Sequence, residues 1–122
     1  METKFRPIEI LLVEDNPGDV KLTQMALENA KVINNLHIVN NGKEALEFLF
    51  SEKQIKPDIV LLDLNLPVID GREVLKKIKE DSNLKRTPVV ILTSSKAEED
   101  IIKTYDLHAN CYITKPIDLE QF

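Results

Sequence analysis

The sequence predicts an α/β fold in which five parallel strands form a doubly wound sheet between two layers of helices. Short apolar runs alternate along the chain with longer segments of helical period, which is the pattern of repeated βα units. Three of the runs are apolar at almost every position, as is typical of strands buried on both faces of a parallel sheet. Right-handed crossovers between such strands give a three-layer sandwich.

Five strands are predicted, one for each apolar run. They lie near residues 8–13, 36–39, 58–62, 88–93 and 110–113. The first, third and fourth runs are the ones that are apolar on both faces, apart from Glu9 in the first. Helices therefore have to cover both sides of the sheet.

Helices are predicted between the strands, and their first residues carry capping signals. Pro17 opens the first helix, where its missing N–H removes no helical hydrogen bond. The other four helices start with a short polar acceptor that is followed three residues later by Glu or Gln. These pairs are Asn41 with Glu44, Asp70 with Glu73, Ser95 with Glu98, and Asp118 with Gln121. The last helix begins so close to Phe122 that we expect it to be truncated in this sequence.

Each of the first three helices also has one apolar side. Positions three and four residues apart share a helix face, so apolar residues at that spacing mark the side that faces the sheet. The predicted buried sides are Val20, Thr23, Leu27 and Ala30 in the first helix, Leu46, Leu49 and Phe50 in the second, and Val74, Leu75 and Ile78 in the third.

Size and composition indicate one soluble domain that spans residues 1–122. A chain of 122 residues with 43% hydrophobic residues can bury a core without a disulfide or a structural metal. The net charge of −5 and the lack of any long basic stretch argue against direct binding to nucleic acid. No signal peptide or apolar segment of membrane length is evident, so we expect a cytoplasmic protein that does not contact the membrane.

The single cysteine, Cys111, falls inside the fifth predicted strand. One cysteine cannot form an internal disulfide, which suits a reducing compartment. Because apolar strands face a core, we predict that Cys111 is a small buried side chain rather than a reactive thiol.

Four of the apolar runs end on chemically useful side chains. Glu14 and Asp15 follow the first strand, Asp63 the third, Thr93 the fourth and Lys115 the fifth. The carboxyl ends of parallel strands line one edge of the sheet, where such folds bind ligands. We therefore expect three carboxylates, one hydroxyl and one ammonium group to converge there.

This combination of groups is suited to holding Mg²⁺ and a phosphoryl group. Clustered carboxylates repel one another unless a hard cation occupies the site, and Mg²⁺ prefers oxygen ligands. Asp63, which we expect to be ionised and exposed, is then a competent nucleophile toward phosphorus. Lys115 and Thr93 can hold the phosphoryl oxygens. The sequence has only three glycines and no glycine-rich nucleotide loop, so bound ATP or NAD is not expected.

Taken singly, each residue of this set also has a structural explanation. The Glu14–Asp15 pair could favour the dipole of the first helix, Asp63 could be a turn residue and Lys115 a solvated lysine. The functional interpretation depends on the whole set, because all of these residues follow strands that end at the same edge of the sheet. His37 and His108 have no second ligand at metal spacing, so we interpret both as structural or surface residues.

The sequence resembles the receiver domains of response regulators in two-component signalling. The motifs that match in order and spacing are Glu14–Asp15, the segment DLNLPVIDG at residues 63–71, Thr93–Ser94 and Lys115–Pro116. They span essentially the whole chain. The resemblance implies a flavodoxin-like fold with strand order 2-1-3-4-5. Residues 14–19 and 109–113 further resemble stand-alone receivers that partner phytochrome-type sensor kinases.

The resemblance also implies a role for each motif residue. Asp63 would be the phosphoacceptor, and Thr93 and Lys115 would contact the phosphoryl group. The implied Mg²⁺ ligands are Asp63, Asp15, Glu14 through a water molecule, and the backbone carbonyl of Asn65. Thr93 and Tyr112 would be the switch residues that respond to phosphorylation.

The implied function is signalling rather than enzymatic turnover. Such a domain takes a phosphoryl group from a phosphohistidine on a sensor histidine kinase or a phosphotransfer protein. It has intrinsic Mg²⁺-dependent autophosphorylation and autodephosphorylation. Phosphorylation changes its affinity for a downstream protein partner. If the last helix is truncated, we expect lower stability or association through the exposed flank, as a homodimer.

Two other classes of function remain open from the sequence. A pseudo-receiver would use the same surface as a docking scaffold without phosphorylation, although the intact Asp63 and Lys115 argue against it. A small Mg²⁺-dependent phosphohydrolase would use Asp63 as its nucleophile. Such an enzyme normally has a second carboxylate two positions on, where this chain has Asn65.

Overall fold

The computed structural model describes residues 6–52, 55–93 and 111–115. The elements are β1 (Ile8–Val13), α1 (Pro17–Asn29), β2 (Asn34–Val39), α2 (Gly42–Phe50), β3 (Ile59–Asp63), α3 (Gly71–Glu80), β4 (Val89–Thr93) and β5 (Cys111–Thr114). The strands form one sheet in the order β2-β1-β3-β4-β5, and all neighbouring strands are parallel. The predicted α/β fold around a parallel sheet is confirmed. The helices predicted from Ser95 and Asp118 lie outside the described residues.

The strand register aligns the carboxyl ends of the strands at one edge. Val13, at the end of β1, pairs with Leu62 of β3. Asp63, at the end of β3, pairs with Leu92, and Thr93 pairs with Thr114 of β5. The residues that follow β1, β3 and β5 therefore emerge on the same side of the molecule.

The core has two parts, one on each face of the sheet. Alternate strand residues point to opposite faces, so each buried strand contributes to both parts. The face under α2 and α3 holds Leu11, Val13, Val60, Leu62 and Ile91 together with Ala45, Val74, Leu75 and Ile78. The face under α1 holds Ile10, Leu12, Leu61, Leu92 and Ile113 together with Ala26 and Leu27. Helices on both faces give the layered arrangement that the sequence predicts.

The predicted helix faces are confirmed in α3 and hold in part in α1 and α2. Val74, Leu75 and Ile78 of α3 are fully buried, as predicted. In α1, Thr23 and Leu27 are buried, but Ala30 is exposed because it lies at the C-cap, beyond the last helical turn. In α2, Phe50 is exposed rather than buried because it is the last residue of the helix.

The starts of α2 and α3 are capped by the predicted side chains. Asn41 accepts a hydrogen bond from the backbone N–H of Glu44 at 2.8 Å, and Asp70 accepts one from that of Arg72 at 2.8 Å. At the start of α1, the Oδ1 of Asn16 accepts hydrogen bonds from the backbone N–H groups of Gly18 and Asp19.

Cys111 corrects one sequence prediction. It is exposed, not buried. It is the first residue of β5, and in the described sheet β5 pairs only with β4. A residue that starts an edge strand is covered on fewer sides than one in a central strand.

The described part of the chain has no helix with the length and apolarity needed to cross a membrane.

Candidate functional site

Glu14 follows β1 and lies inside the protein. Its backbone N–H donates to the carbonyl oxygen of Val39 at 3.1 Å, which extends the β1–β2 pairing by one residue. Its side chain is fully buried, and one carboxylate oxygen accepts a hydrogen bond from the backbone N–H of Asn16 at 3.1 Å. The backbone pairing of Glu14 and the hydrogen bond to its side chain together hold the carboxylate at the sheet edge.

Asp63 ends β3, between β1 and β4. Its Oδ1 accepts a hydrogen bond from the backbone N–H of Asn65 at 3.1 Å, which orients the carboxylate. The prediction that Asp63 is exposed is wrong, since only 4% of the residue is accessible. It lies at a central strand end, where neighbouring strands and loops cover it on several sides. It nevertheless lines an open cleft of about 450 Å³, and a small donor can therefore approach it.

Three carboxylates meet in this cleft. One oxygen each from Glu14, Asp15 and Asp63 lie within 4.8 Å of one another. Asp15 is exposed, while the other two are buried. A compact set of carboxylate oxygens with one solvent-facing member matches the preference of hard divalent cations for oxygen ligands and retained water. The predicted metal residues are therefore together, and Asn65 lines the same cleft.

Lys115 bridges the carboxylates from the end of β5. Its Nζ lies 2.7 Å from Glu14 Oε2 and 3.3 Å from Asp63 Oδ2. The same Nζ donates to Asp19 Oδ2 at 2.9 Å, a contact that the sequence analysis missed. Asp19 lies in the first turn of α1, where an acidic residue has an ordinary explanation in the helix dipole. Only its distance to Lys115 in the folded chain distinguishes it.

The electrostatics of the site follow from its burial. Removal from water is the main cause that raises the pKa of Glu14 to about 7, and the hydrogen bond from Lys115 opposes this only in part. Burial also lowers the pKa of Lys115, but its hydrogen bonds with Glu14 and Asp19 outweigh that effect and raise the pKa above its ordinary value. Lys115 therefore stays charged, while Glu14 loses its proton at a higher pH than an ordinary glutamic acid does.

Thr93 is at the end of β4, next to this cluster. It is fully buried, and its backbone carbonyl accepts a hydrogen bond from the N–H of Lys115 at 2.7 Å. Tyr112 lies in β5 with its backbone opposite Ile91. The side chain of Tyr112 and the whole of Ser94 lie outside the described residues.

Gly71 brings α3 against the back of the site. A Cβ at Gly71 would clash with the backbone carbonyl oxygen of Asp63 and lie 2.7 Å from the Cα of Leu64. The N–H of Gly71 also donates to the carbonyl oxygen of Leu64 at 3.0 Å. A glycine therefore allows the helix start to pack directly on the strand end that carries Asp63.

The sequence matches the response regulator receiver domain family over residues 10–122. It is 47% identical over 118 residues to the response regulator Rcp1 of Synechocystis sp., which covers 93% of this chain and 80% of that protein. This match extends beyond the motif residues to nearly the whole domain.

Two solved structures resemble the fold closely. The phosphorylated cyanobacterial phytochrome response regulator RcpA has a TM-score of 0.82 and 49% identity, over 95% of this chain and 86% of that one. The Mn²⁺-bound form of Rcp1 has a TM-score of 0.82 and 47% identity, over 93% of this chain and 85% of that one. The predicted similarity to phytochrome response regulators is thus confirmed. The chain belongs to the response regulator receiver domain family of two-component signalling.

Proposed function

We propose that this chain accepts a phosphoryl group on Asp63 from a phosphohistidine, in a reaction that depends on Mg²⁺. The observation that carries the proposal is the position of Asp63 in an open cleft, between an acidic trio and the ammonium group of Lys115. In the proposal, residues 1–122 form a single receiver domain.

The chemical step needs a nucleophile, a leaving group and charge neutralisation. A carboxylate oxygen of Asp63 attacks phosphorus and forms the new P–O bond of an acyl phosphate. The P–N bond of the phosphohistidine breaks, and its electron pair leaves with the imidazole of the donor protein. In the proposal, the phosphoryl oxygens are contacted by the hydroxyl of Thr93 and by Lys115, whose Nζ lies 3.3 Å from Asp63 Oδ2.

Glu14, Asp15, Asp63 and the backbone carbonyl of Asn65 are the residues that would hold Mg²⁺. The three carboxylates fit such an ion because their oxygens already lie within 4.8 Å of one another. When bound, Mg²⁺ would supply positive charge that neutralises the phosphoryl oxygens during transfer. As the family resemblance implies, Asp15 would bind the ion directly and Glu14 would bind it through a water molecule.

The source of the phosphoryl group is proposed from the relatives. Because RcpA is a phytochrome response regulator, we propose that a phytochrome-type sensor histidine kinase, or a phosphotransfer protein downstream of one, is the donor. We also propose that small phosphodonors modify Asp63 without a kinase, and that the chain removes its own phosphoryl group. The output is a change in affinity for a downstream protein.

Incubation with acetyl phosphate and Mg²⁺ tests the acceptor. We expect intact-mass spectrometry to show one added phosphoryl group that is stable in acid and lost in base. Asp63→Asn should abolish it, while Asp70→Asn, which changes an exposed helix cap nearby, should not. An unmodified wild-type mass in a folded sample would contradict the proposal and favour a docking scaffold.

Kinases that carry a labelled phosphohistidine test the donor. We expect faster transfer from a phytochrome-type kinase than from a sensor kinase of another class at equal concentration. Equal rates would contradict the phytochrome assignment while leaving Asp63 as the acceptor. Steady turnover of small phosphomonoesters would instead favour the phosphohydrolase alternative.

A further inference from the structure

The first turn of α1 holds Asp19 in one place. The backbone N–H of Asp19 donates to the cap residue Asn16 at 3.1 Å, and its carbonyl oxygen accepts a hydrogen bond from the buried hydroxyl of Thr23 at 2.9 Å. Contacts on both sides of the residue fix the direction in which its side chain leaves the helix. The carboxylate is thereby brought to the ammonium group of Lys115, 96 positions along the chain.

The ammonium group of Lys115 has three donors and meets three carboxylates. The contacts with Glu14 and Asp19 are short, at 2.7 and 2.9 Å, whereas the contact with Asp63 is longer, at 3.3 Å. Two donors are thus held firmly, and the third points toward the carboxylate that the proposed reaction modifies. This arrangement aims Lys115 at the phosphoacceptor.

Asp19 differs from the other two carboxylates in one respect. Glu14 and Asp63 both belong to the compact acidic trio, whereas Asp19 does not. A cation bound by the trio would compete with Lys115 for Glu14 and Asp63 but would leave Asp19 available. The Asp19 carboxylate is also only 19% exposed, so its attraction for the ammonium group is less screened than that of a surface pair.

We propose that Asp19 is a positioning residue that holds Lys115 over Asp63 when the metal site is filled. The inference rests on the proposed function, because it assigns a purpose to Asp19 only if Asp63 is phosphorylated. Asp19 does not touch the transferred group. It acts by keeping the ammonium group of Lys115 within reach of the phosphoryl oxygens.

The rate of phosphorylation in Asp19→Asn tests the proposal. The rate is measured with saturating acetyl phosphate, at a Mg²⁺ concentration that saturates each variant. We expect the rate to fall by about tenfold or more, as is typical when a residue that orients a metal ligand is removed. Glu28→Gln, an equal change of charge at the exposed far end of α1, should change the rate by less than about twofold.

A double-mutant cycle separates positioning from a general effect of charge. In a Lys115→Ala background, Asp19→Asn should have no further effect on the rate, because Asp19 acts through Lys115. An equal loss in both backgrounds would overturn the proposal, as would an unchanged or faster rate in the single variant. If wild type itself is not phosphorylated, the proposed function fails, and that result is distinct from a failure of this inference.

A signal from Lys115 itself provides a second readout that does not depend on phosphorylation or on the stability of Lys115→Ala. We expect the ammonium resonance of Lys115 in a ¹H–¹⁵N spectrum of the Mg²⁺-saturated wild type to be protected from exchange. It should broaden or disappear in Asp19→Asn and persist in Glu28→Gln. An ammonium signal that is identical in wild type and Asp19→Asn would overturn the proposal.

Discussion

At the scale of single residues, the fold buries an ionisable side chain, Glu14, which would be more stable ionised in water. Glu14 is fully buried with an ionisable carboxylate, and the groups that face it are Asp15 and Asp63 on the acidic side and Lys115 on the basic side. Lys115 offsets part of the cost of burial, but the pKa of Glu14 is still raised to about 7. Binding of a cation would therefore stabilise the ionised form of the site.

Glu14→Gln is expected to stabilise the metal-free protein at pH 8, by about 1 to 3 kcal/mol. Because the pKa of Glu14 is raised from 4.5 to about 7 on folding, the folded state binds its proton more tightly than the unfolded state does. Wild type therefore loses stability as pH rises from about 4.5 to 7, and the variant lacks that loss. Urea denaturation at pH 5 and pH 8 measures the difference.

Saturating Mg²⁺ provides the control for this prediction. A cation favours the ionised carboxylate, so the advantage of the variant over wild type should shrink or reverse when Mg²⁺ is added. A variant that is less stable than wild type at pH 8 without metal would show that the ion pair with Lys115 outweighs the burial of Glu14.

At the scale of elements, the connection from β3 to α3 is tightly constrained. Its start is fixed by Asp63 and its end by Gly71, which packs against the backbone of the same strand end. Between them, Val68 has a φ of 70°. A β-branched residue seldom adopts this left-handed conformation, and the strain costs on the order of 1 to 3 kcal/mol. The loop beside the phosphoacceptor therefore stores conformational strain.

Val68→Asn is expected to stabilise the protein by about 1 kcal/mol. Asn tolerates the left-handed conformation, and Val68 is 75% exposed, so little packing is lost. Val68→Thr, which keeps the β-branch, should give no comparable gain. Thermal unfolding of the three proteins measures the effect. Equal stability of the Asn and Thr variants would indicate that the loop relaxes around position 68 without a cost in strain.

At the scale of the whole molecule, the sheet links the proposed phosphoacceptor to its far edge. Asp63 pairs with Leu92, and Thr93 pairs with Thr114, so backbone pairing connects the end of β4 to β5. Phosphorylation would replace the single charge of the Asp63 carboxylate with the dianion of an acyl phosphate, which adds about one negative charge and new acceptor oxygens beside Thr93. We propose that the Thr93 hydroxyl moves toward the phosphoryl group and that Tyr112 responds on β5, which alters the surface offered to a partner.

Thr93→Ala should leave Asp63 able to accept a phosphoryl group but uncouple that event from β5. We expect phosphorylation to shift the backbone amide resonances around Tyr112 in wild type, and to shift them much less in Thr93→Ala. Thr87→Ala is the matched control, because Thr87 is a buried threonine just before β4 whose hydroxyl has no hydrogen-bond partner among the described residues. Phosphorylation can favour one arrangement of β5 only if it contacts that arrangement differently, and in the proposal Thr93 supplies that contact. Equal shifts in phosphorylated wild type and phosphorylated Thr93→Ala would therefore contradict the proposed switch.

Local patterns in the sequence determined much of this architecture. The apolar runs of β1, β3 and β4, the caps at Asn41 and Asp70 and the buried face of α3 all follow from short-range spacing, and the structure confirms them. The convergence of Glu14, Asp63 and Lys115 was also predictable, because parallel strands place their carboxyl ends at one edge. Roles for these residues stay predictions until phosphorylation is measured.

Only the tertiary structure decided how the site is surrounded. Asp63 is buried because neighbouring strands and loops close around a central strand end, and Cys111 is exposed because it starts an edge strand. Asp19 reaches Lys115 because the fold brings the first turn of α1 beside the end of β5, a contact that no spacing in the sequence encodes. The spacing of apolar residues specifies which side chains share one face of a helix or strand. Contacts between elements depend instead on the strand register, the crossovers and the packing of the whole chain.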